Sequence, residues 1–116
     1  MSETASISSG IAARYATAIF ELAQDSSALP KLEAGVDALA EALETSADLR
    51  AMITSPVISR AEQGAAISAL AKKMKLPAEL SQGLALMAEK RRLFTLPQLV
   101  KSLRAMLAEH KGEVTA

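Results

Sequence analysis

The sequence predicts an all-α fold, specifically a compact six-helix bundle, and three observations support this prediction. Half of the 116 residues are hydrophobic but only 3% are aromatic, so the core consists of Leu, Ile, Val, Met and many Ala side chains. These residues favour close helix packing over a twisted sheet. Helix start and stop signals divide the chain into six segments with apolar residues at helical spacing. No segment alternates for long enough to predict a paired strand.

The first two predicted helices are separated by the stretch DSSALP, residues 25–30. The first helix runs from Ser8 to Gln24. The stretch offers cap-forming residues for the second helix, with Pro30 in its first turn. The second helix carries acidic residues outside one apolar stripe, which consists of Leu32, Val36, Leu39 and Leu43. Gly35 in this helix is expected to cost about 1 kcal/mol relative to Ala.

Two cap signals define the next two helices. Ser46 is predicted to cap a short third helix over residues 47–53, which the stretch SPVIS, residues 55–59, ends. Ser59 followed by Glu62 matches a capping box, in which two backbone N–H groups at the start of the fourth helix are satisfied. The side chains of this helix that are expected to face inward are Ile67, Leu70, Ala71 and Met74.

The stretch KLP, residues 75–77, separates the fourth helix from the fifth, which is predicted over residues 78–90. The sixth helix begins near Thr95 and has one apolar side, formed by Leu96, Val100, Leu103 and Leu107. It is predicted to end at Lys111 and Gly112, because glycine readily adopts the left-handed C-cap conformation. The last four residues, EVTA, alternate like the first step of a strand, and are either a frayed tail or the start of a further domain.

The charge balance, the cysteine content and the lengths of the apolar segments exclude several classes of protein. Thirteen basic residues balance thirteen acidic ones, so no overall field attracts nucleic acid or an anionic membrane. The absence of cysteine excludes disulfides and thiolate metal sites. No segment approaches the roughly 20 continuous apolar residues of a membrane span, and the first ten residues do not resemble a signal peptide. We therefore expect a soluble, intracellular domain with no direct membrane insertion.

The sequence offers no catalytic, cofactor-binding or metal-binding constellation, so an enzyme is not expected. The single histidine, His110, falls in the last turn of the sixth helix, where an exposed imidazole near the C-terminal dipole is the simplest interpretation. The carboxylates fall on the solvent sides of helices without the spacing of metal ligands. None of the five glycines forms a phosphate-binding loop.

Two basic clusters could mark a nucleic-acid surface: Lys72, Lys73 and Lys75, then Lys90, Arg91 and Arg92. A nucleic-acid surface would need both clusters on one face or stacking aromatic side chains, and Phe94 is the only aromatic residue nearby. Both clusters fall at predicted helix C-termini, where cations complement the helix dipole. We therefore favour a structural role for them.

The first and fifth helices carry more apolar surface than one core contact needs. In the first helix one set faces the core, formed by Ala12, Ala16, Ile19, Phe20 and Ala23, and a second set consists of Ile11, Tyr15, Ala18 and Leu22. In the fifth helix Leu86 falls on the polar side between small residues, Gly83 and Ala85. Either the first helix is wholly buried, or these residues form a slot for the amphipathic helix of a partner.

Three stretches together resemble the N-terminal domain of the delta subunit of bacterial F-type ATP synthase, whose mitochondrial counterpart is the oligomycin-sensitivity-conferral protein. They are ARYATAIFELA (13–23), SPVIS (55–59) and MAEKRRLFTLPQLV (87–100), and the resemblance covers essentially the whole chain. Two positions depart from the family pattern, because Ser55 and Lys90 stand where Asn is usual. These departures affect local turn geometry rather than the resemblance.

The resemblance implies a non-catalytic role in the peripheral stalk, at the cytoplasmic face of the bacterial inner membrane. Its first and fifth helices are expected to grip the N-terminal helix of an alpha subunit, through Ile11, Tyr15, Ala18, Leu22, Gly83, Ala85 and Leu86. The stalk's b subunit would bind a C-terminal part, so residues 1–112 are expected to form the N-terminal domain and residues 113–116 to begin a missing C-terminal one.

Two alternatives to this role remain open at the level of the sequence. The chain could be a helical RNA-binding module that resembles an antitermination factor, if both basic clusters share one face. It could also be a homodimerising all-α domain that covers the same apolar surface with its own copy. The groove interpretation instead expects the isolated domain to be monomeric.

Overall fold

The computed structural model describes the backbone of residues 3–115 and the side chains of residues 7–112. The elements are α1 (Glu3–Asp25), α2 (Leu29–Thr45), α3 (Ala47–Thr54), α4 (Arg60–Lys73), α5 (Ala78–Glu89), the 3-10 turn Leu93–Thr95 and α6 (Leu96–Thr115). No strand occurs in this part of the chain. The prediction of an all-α six-helix bundle is confirmed. The main differences are at the ends of the chain, where α1 and α6 extend beyond their predicted limits.

The core is aliphatic and lies mainly between α1, α2, α5 and α6. The predicted apolar side of α6 is buried along its length, and so are three of the four stripe residues of α2, while Leu43 is half-buried. Ala12, Ala16 and Ala23 are fully buried on α1, whose most extensive contact is with α6. Phe20 is half-buried at the edge of this core rather than inside it.

Gly35 allows α2 to lie close to the start of α5. A Cβ atom at this position would come within 3.0 Å of Leu80 Cδ2 and of Pro77 Cδ. A side chain at position 35 would collide with Leu80 and Pro77, so the glycine that lowers the helix propensity of α2 also permits its close packing.

Two predicted caps are present with the expected hydrogen bonds. The Leu49 N–H donates to Ser46 Oγ at 3.1 Å at the start of α3. At the start of α4, the Glu62 N–H donates to Ser59 Oγ at 3.1 Å. The Ser59 N–H in turn donates to Glu62 Oε1 at 3.0 Å, which completes the capping box.

Three helices end with a non-glycine residue in the left-handed conformation. Ser27, Lys75 and Arg91 each have a φ of 57° and follow α1, α4 and α5. After α1, the Ala28 N–H donates to Ala23 O at 2.7 Å, the bond that defines a Schellman C-cap. The DSSALP stretch therefore ends α1, and its serines do not cap α2, whose N-cap Ala28 makes no side-chain capping bond.

The predicted C-terminal end of the sixth helix at Gly112 is wrong. Helix α6 continues to Thr115, and no glycine in the described residues has a positive φ. A glycine inside a helix costs only about 1 kcal/mol, which packing of the buried side of α6 can offset. Residues 113–115 are helical, so the strand-like alternation of EVTA is wrong for these three positions, and Ala116 lies outside the described residues.

Candidate functional site

Helices α1 and α5 run antiparallel and are joined by a hydrogen bond near each end of α5. At the C-terminal end of α1, Ser26 Oγ donates to Glu79 Oε2 at 2.8 Å. Near the middle of α1, Arg92 Nη1 donates to Tyr15 Oη at 3.3 Å. The backbone of α5 passes close to α1 between these bonds, because position 83 is a glycine whose added Cβ would overlap Ile19.

A surface groove of about 250 Å³ lies along this pair of helices, and we name it the α1–α5 groove. It is lined by Ile11, Arg14, Tyr15, Ala18, Leu86 and Arg92. Four of the seven residues predicted to bind a partner helix therefore meet in one place. Leu86 is 44% exposed beside the other apolar residues of the groove, and contiguous exposed apolar side chains often mark a binding surface.

The other three predicted residues have different positions. Leu22 is 53% exposed and lies one turn beyond Ala18, so it extends the apolar stripe of α1 past the groove. Gly83 sits against Ile19 and allows α5 to approach α1 closely. Ala85 is exposed on α5 but does not line the groove. Their contact with a partner stays a prediction.

Three residues of this surface were not predicted from the sequence. Arg14 and Arg92 line the groove. Ile7 is 60% exposed and lies one helical turn before Ile11, so it extends the same stripe toward the start of α1. The helical spacing of Ile7 could have revealed it, whereas Arg92 depends on the end of α5 meeting a residue 77 positions away.

The basic cluster Lys90, Arg91 and Arg92 does not form one surface. Arg92 reaches α1, whereas Arg91 Nη1 donates to Ile58 O at 2.6 Å and to Gln63 Oε1 at 3.3 Å. Gln63 is buried and donates to Met52 O at 3.0 Å. Arg91 thus connects the end of α5 to the α3–α4 region, which supports the structural role that we favoured.

A larger cavity of about 490 Å³ lies where the start of α2 meets the end of α6. Its lining includes Leu29, Pro30, Leu107 and His110, and a Lys111–Glu33 ion pair crosses the same region. His110 is half-buried rather than exposed as predicted, because its ring packs edge-on against Phe20 with centroids 5.9 Å apart. Within the described residues no group of His, Asp and Glu side chains could hold a metal ion.

The described helices also include none that is long and apolar enough to cross a membrane. Of the two arginines that line the α1–α5 groove, Arg92 donates to the neutral Tyr15 hydroxyl. The groove therefore combines exposed apolar side chains with charged edges, which suits binding of an amphipathic helix rather than covalent chemistry.

Comparisons with a family model and with individual known proteins identify the same family. The family model of the ATP synthase delta (OSCP) subunit matches residues 11–116. The chain is 64% identical to ATP synthase subunit delta of Dinoroseobacter shibae, 62% identical to that of Rhodobacter capsulatus and 61% identical to that of a Ruegeria species. Each alignment covers the whole chain but only 62% of the relative.

Proposed function

Because this chain belongs to the ATP synthase delta (OSCP) subunit family, we propose that it acts as a non-catalytic part of the peripheral stalk of a proton-translocating F-type ATP synthase. In this role it ties the catalytic head to the membrane-anchored stator, so that the head does not turn with the rotor. The complex would hold it peripherally at the cytoplasmic face of the bacterial inner membrane.

The proposal is based on the α1–α5 groove and on the apolar stripe of α1 that extends beyond it. The stripe extends from Ile7 to Leu22, which is about 22 Å at 1.5 Å per residue. This length matches about four turns of a bound helix. We assign the groove to the N-terminal helix of the alpha subunit, whose apolar face would cover Ile11, Tyr15, Ala18, Leu22 and Leu86.

The chemistry of the groove suits a connection that works under load. Binding energy concentrates in the well-packed, fully desolvated centre of an interface, and affinity differences between related complexes lie mostly in the dissociation rate. The chain has no net charge, so long-range attraction contributes little to association. Slow dissociation would therefore come from side chains such as Leu86 rather than from overall charge.

The other stalk partner would contact a different part of the protein. The chain spans 62% of the length of the relatives that it matches. We propose that residues 1–112 correspond to the domain that binds the alpha subunit, and that the b subunit binds the part of these proteins that the alignment leaves out. No surface of the described residues is assigned to the b subunit.

Isothermal titration calorimetry tests this assignment. A synthetic peptide with the sequence of the alpha-subunit N-terminal helix from the same organism is expected to bind the chain one to one, with a negative heat-capacity change from apolar burial. Sedimentation velocity of the chain alone is expected to show a monomer. A folded chain that fails to bind the peptide would overturn the assignment, as would a stable homodimer that covers the groove.

A further inference from the structure

We infer that the α1–α5 groove has positive charges at one end and negative charges beyond the other. This arrangement selects one orientation of the helix that the groove binds. This inference rests on the proposed function. The expected occupant is an amphipathic helix whose apolar stripe has a carboxylate at one end and a Lys or Arg about two turns away.

The basic end of the groove is formed by Arg14 on α1 and Arg92 after α5. Both line the groove, and neither belongs to an ion pair among the described residues. Arg92 donates to Tyr15 Oη, a neutral acceptor. Residues three and four positions from Arg14 along α1 include no carboxylate, so its charge is not compensated on its own helix.

Two carboxylates, one on each helix, lie about two turns away, beyond the residues that line the groove itself. Glu21 follows Arg14 by seven residues, which places it on the same side of α1 about 10 Å further along. Glu79 precedes Leu86 by seven residues on α5 and accepts from Ser26 at the junction with α1. Each wall thus contributes one cation at one end and one anion at the other.

Glu79 is ionised at neutral pH. The backbone N–H of Glu79 itself lowers the pKa of its carboxyl most, followed by the Ser26 hydroxyl and, more weakly, by Lys31. The nearest carboxylate to Leu86 along α5 is Glu89, but the helical register puts it on the opposite side of Leu86 from Gly83, which faces α1. Glu89 therefore does not place a carboxylate at the basic end of the groove.

A helix that binds in the opposite orientation would put its carboxylate near Glu21 and Glu79 and its cation near the two arginines. Charges at the rim of an interface contribute less to affinity than to orientation and to the association rate, and like charges placed together disfavour wrong arrangements. The apolar stripe supplies the affinity, and the charged ends determine the direction in which the helix lies.

The first test compares binding of the alpha-subunit N-terminal peptide to the wild type and to Arg14→Glu. At low ionic strength the variant is expected to bind about three- to tenfold more weakly, and the difference is expected to vanish at about 0.5 M salt because the charges are screened. Arg60→Glu makes the same change of charge on α4, away from the groove, and is the matched control with unchanged binding.

The second test observes the orientation directly. A nitroxide attached at the more acidic end of the peptide is expected to broaden the amide NMR signals of Tyr15 and Ala18 more than that of Ser26. Broadening centred on Ser26, or equal binding by Arg14→Glu at low salt, would overturn the inference while leaving the docking site intact. Failure of the wild type to bind the peptide at all would instead overturn the proposed function.

Discussion

Gly83 on α5 lies directly against Ile19 on α1, and this contact sets the separation of the two helices that form the groove. A Cβ atom on residue 83 would come within 2.6 Å of Ile19 Cδ1 and 2.8 Å of Ile19 Cγ1. Ile19 is buried in the core, so it has little freedom to move away. A larger residue at position 83 must therefore displace the Ile19 side chain or separate α1 from α5.

We expect Gly83→Ala to destabilise the protein. Overpacking of a core typically costs about 1–3 kcal/mol, and the better helix propensity of Ala returns about 1 kcal/mol, which leaves a net loss of up to about 2 kcal/mol. Urea unfolding followed by circular dichroism measures this loss. Ile19→Val, which removes the Cδ1 atom, is expected to cost less stability in the Gly83→Ala background than in the wild type.

Gly64→Ala is the matched control for this prediction. Gly64 also lies inside a helix, α4, but a Cβ there would meet nothing within 4 Å. The same substitution is therefore expected to stabilise the protein by about 0.5–1 kcal/mol. If both alanine variants were equally stable, the Gly83–Ile19 contact would not limit the approach of α5 to α1.

We expect Leu86→Asp to weaken binding of the alpha-subunit peptide by more than about 2 kcal/mol, the scale of a hot-spot loss. Because Leu86 is 44% exposed in the free chain, the substitution is expected to leave the helical circular dichroism unchanged. Binding is weakened because the variant loses the apolar contact of Leu86 and must desolvate a carboxylate in the complex. Titration calorimetry of the folded variant measures the loss.

Val57→Asp tests whether any exposed apolar residue would give the same result. Val57 is 88% exposed between α3 and α4, and it lies outside the groove lining. Its replacement by Asp makes the same change of charge and is expected to leave peptide binding unchanged. Equal binding by the wild type and a folded Leu86→Asp variant would exclude Leu86 from the interface.

The parts of the fold that the sequence predicts well depend on contacts between neighbours along the chain. The capping box of Ser59 and Glu62 and the cap at Ser46 join residues three positions apart, so their pattern is visible before the chain folds. The two apolar sides of α1 follow from helical spacing alone. The spacing therefore predicted Ile11, Tyr15 and Ala18 as one surface.

The features that the sequence does not predict have two origins. Some depend on contacts between distant parts of the chain, and others on backbone conformations that the residue at that position disfavours. Arg92 joins the groove only because the end of α5 lies beside α1. Helices α1 and α4 end at Ser27 and Lys75 in the left-handed conformation, where glycine is the usual signal. Gly112 gives that signal, yet α6 continues past it.

The left-handed conformation of Lys75 leads to a prediction about stability. A non-glycine residue in this conformation costs roughly 1–2 kcal/mol, and Lys75 is exposed. We expect Lys75→Gly to stabilise the protein by about 0.5–1 kcal/mol after the entropy of glycine in the unfolded chain is subtracted. The midpoint of urea unfolding measures the change.

Lys72→Gly provides the comparison, because Lys72 is an exposed residue inside α4. There glycine is expected to destabilise the helix by about 0.5–1 kcal/mol. Opposite signs for the same substitution three residues apart would show that backbone conformation, and not loss of a lysine charge, determines the effect. Destabilisation by both variants would contradict the C-cap interpretation of Lys75.

The capping box gives a prediction about the pH dependence of stability. The Ser59 N–H bond to the Glu62 carboxylate, with the Ser59 hydroxyl as a smaller cause, holds the pKa of Glu62 below its ordinary value, which is about 4.3. Because the pKa of Glu62 is lowered in the folded state, its carboxylate stabilises the protein at pH values above the ordinary pKa. This contribution is lost as the pH falls through the folded pKa.

The free energy of unfolding of Glu62→Gln is therefore expected to lie below that of the wild type at pH 7 and to approach it near pH 3. Urea unfolding at both pH values measures the two differences, and a difference independent of pH would mean that the charge of Glu62 does not contribute to the cap.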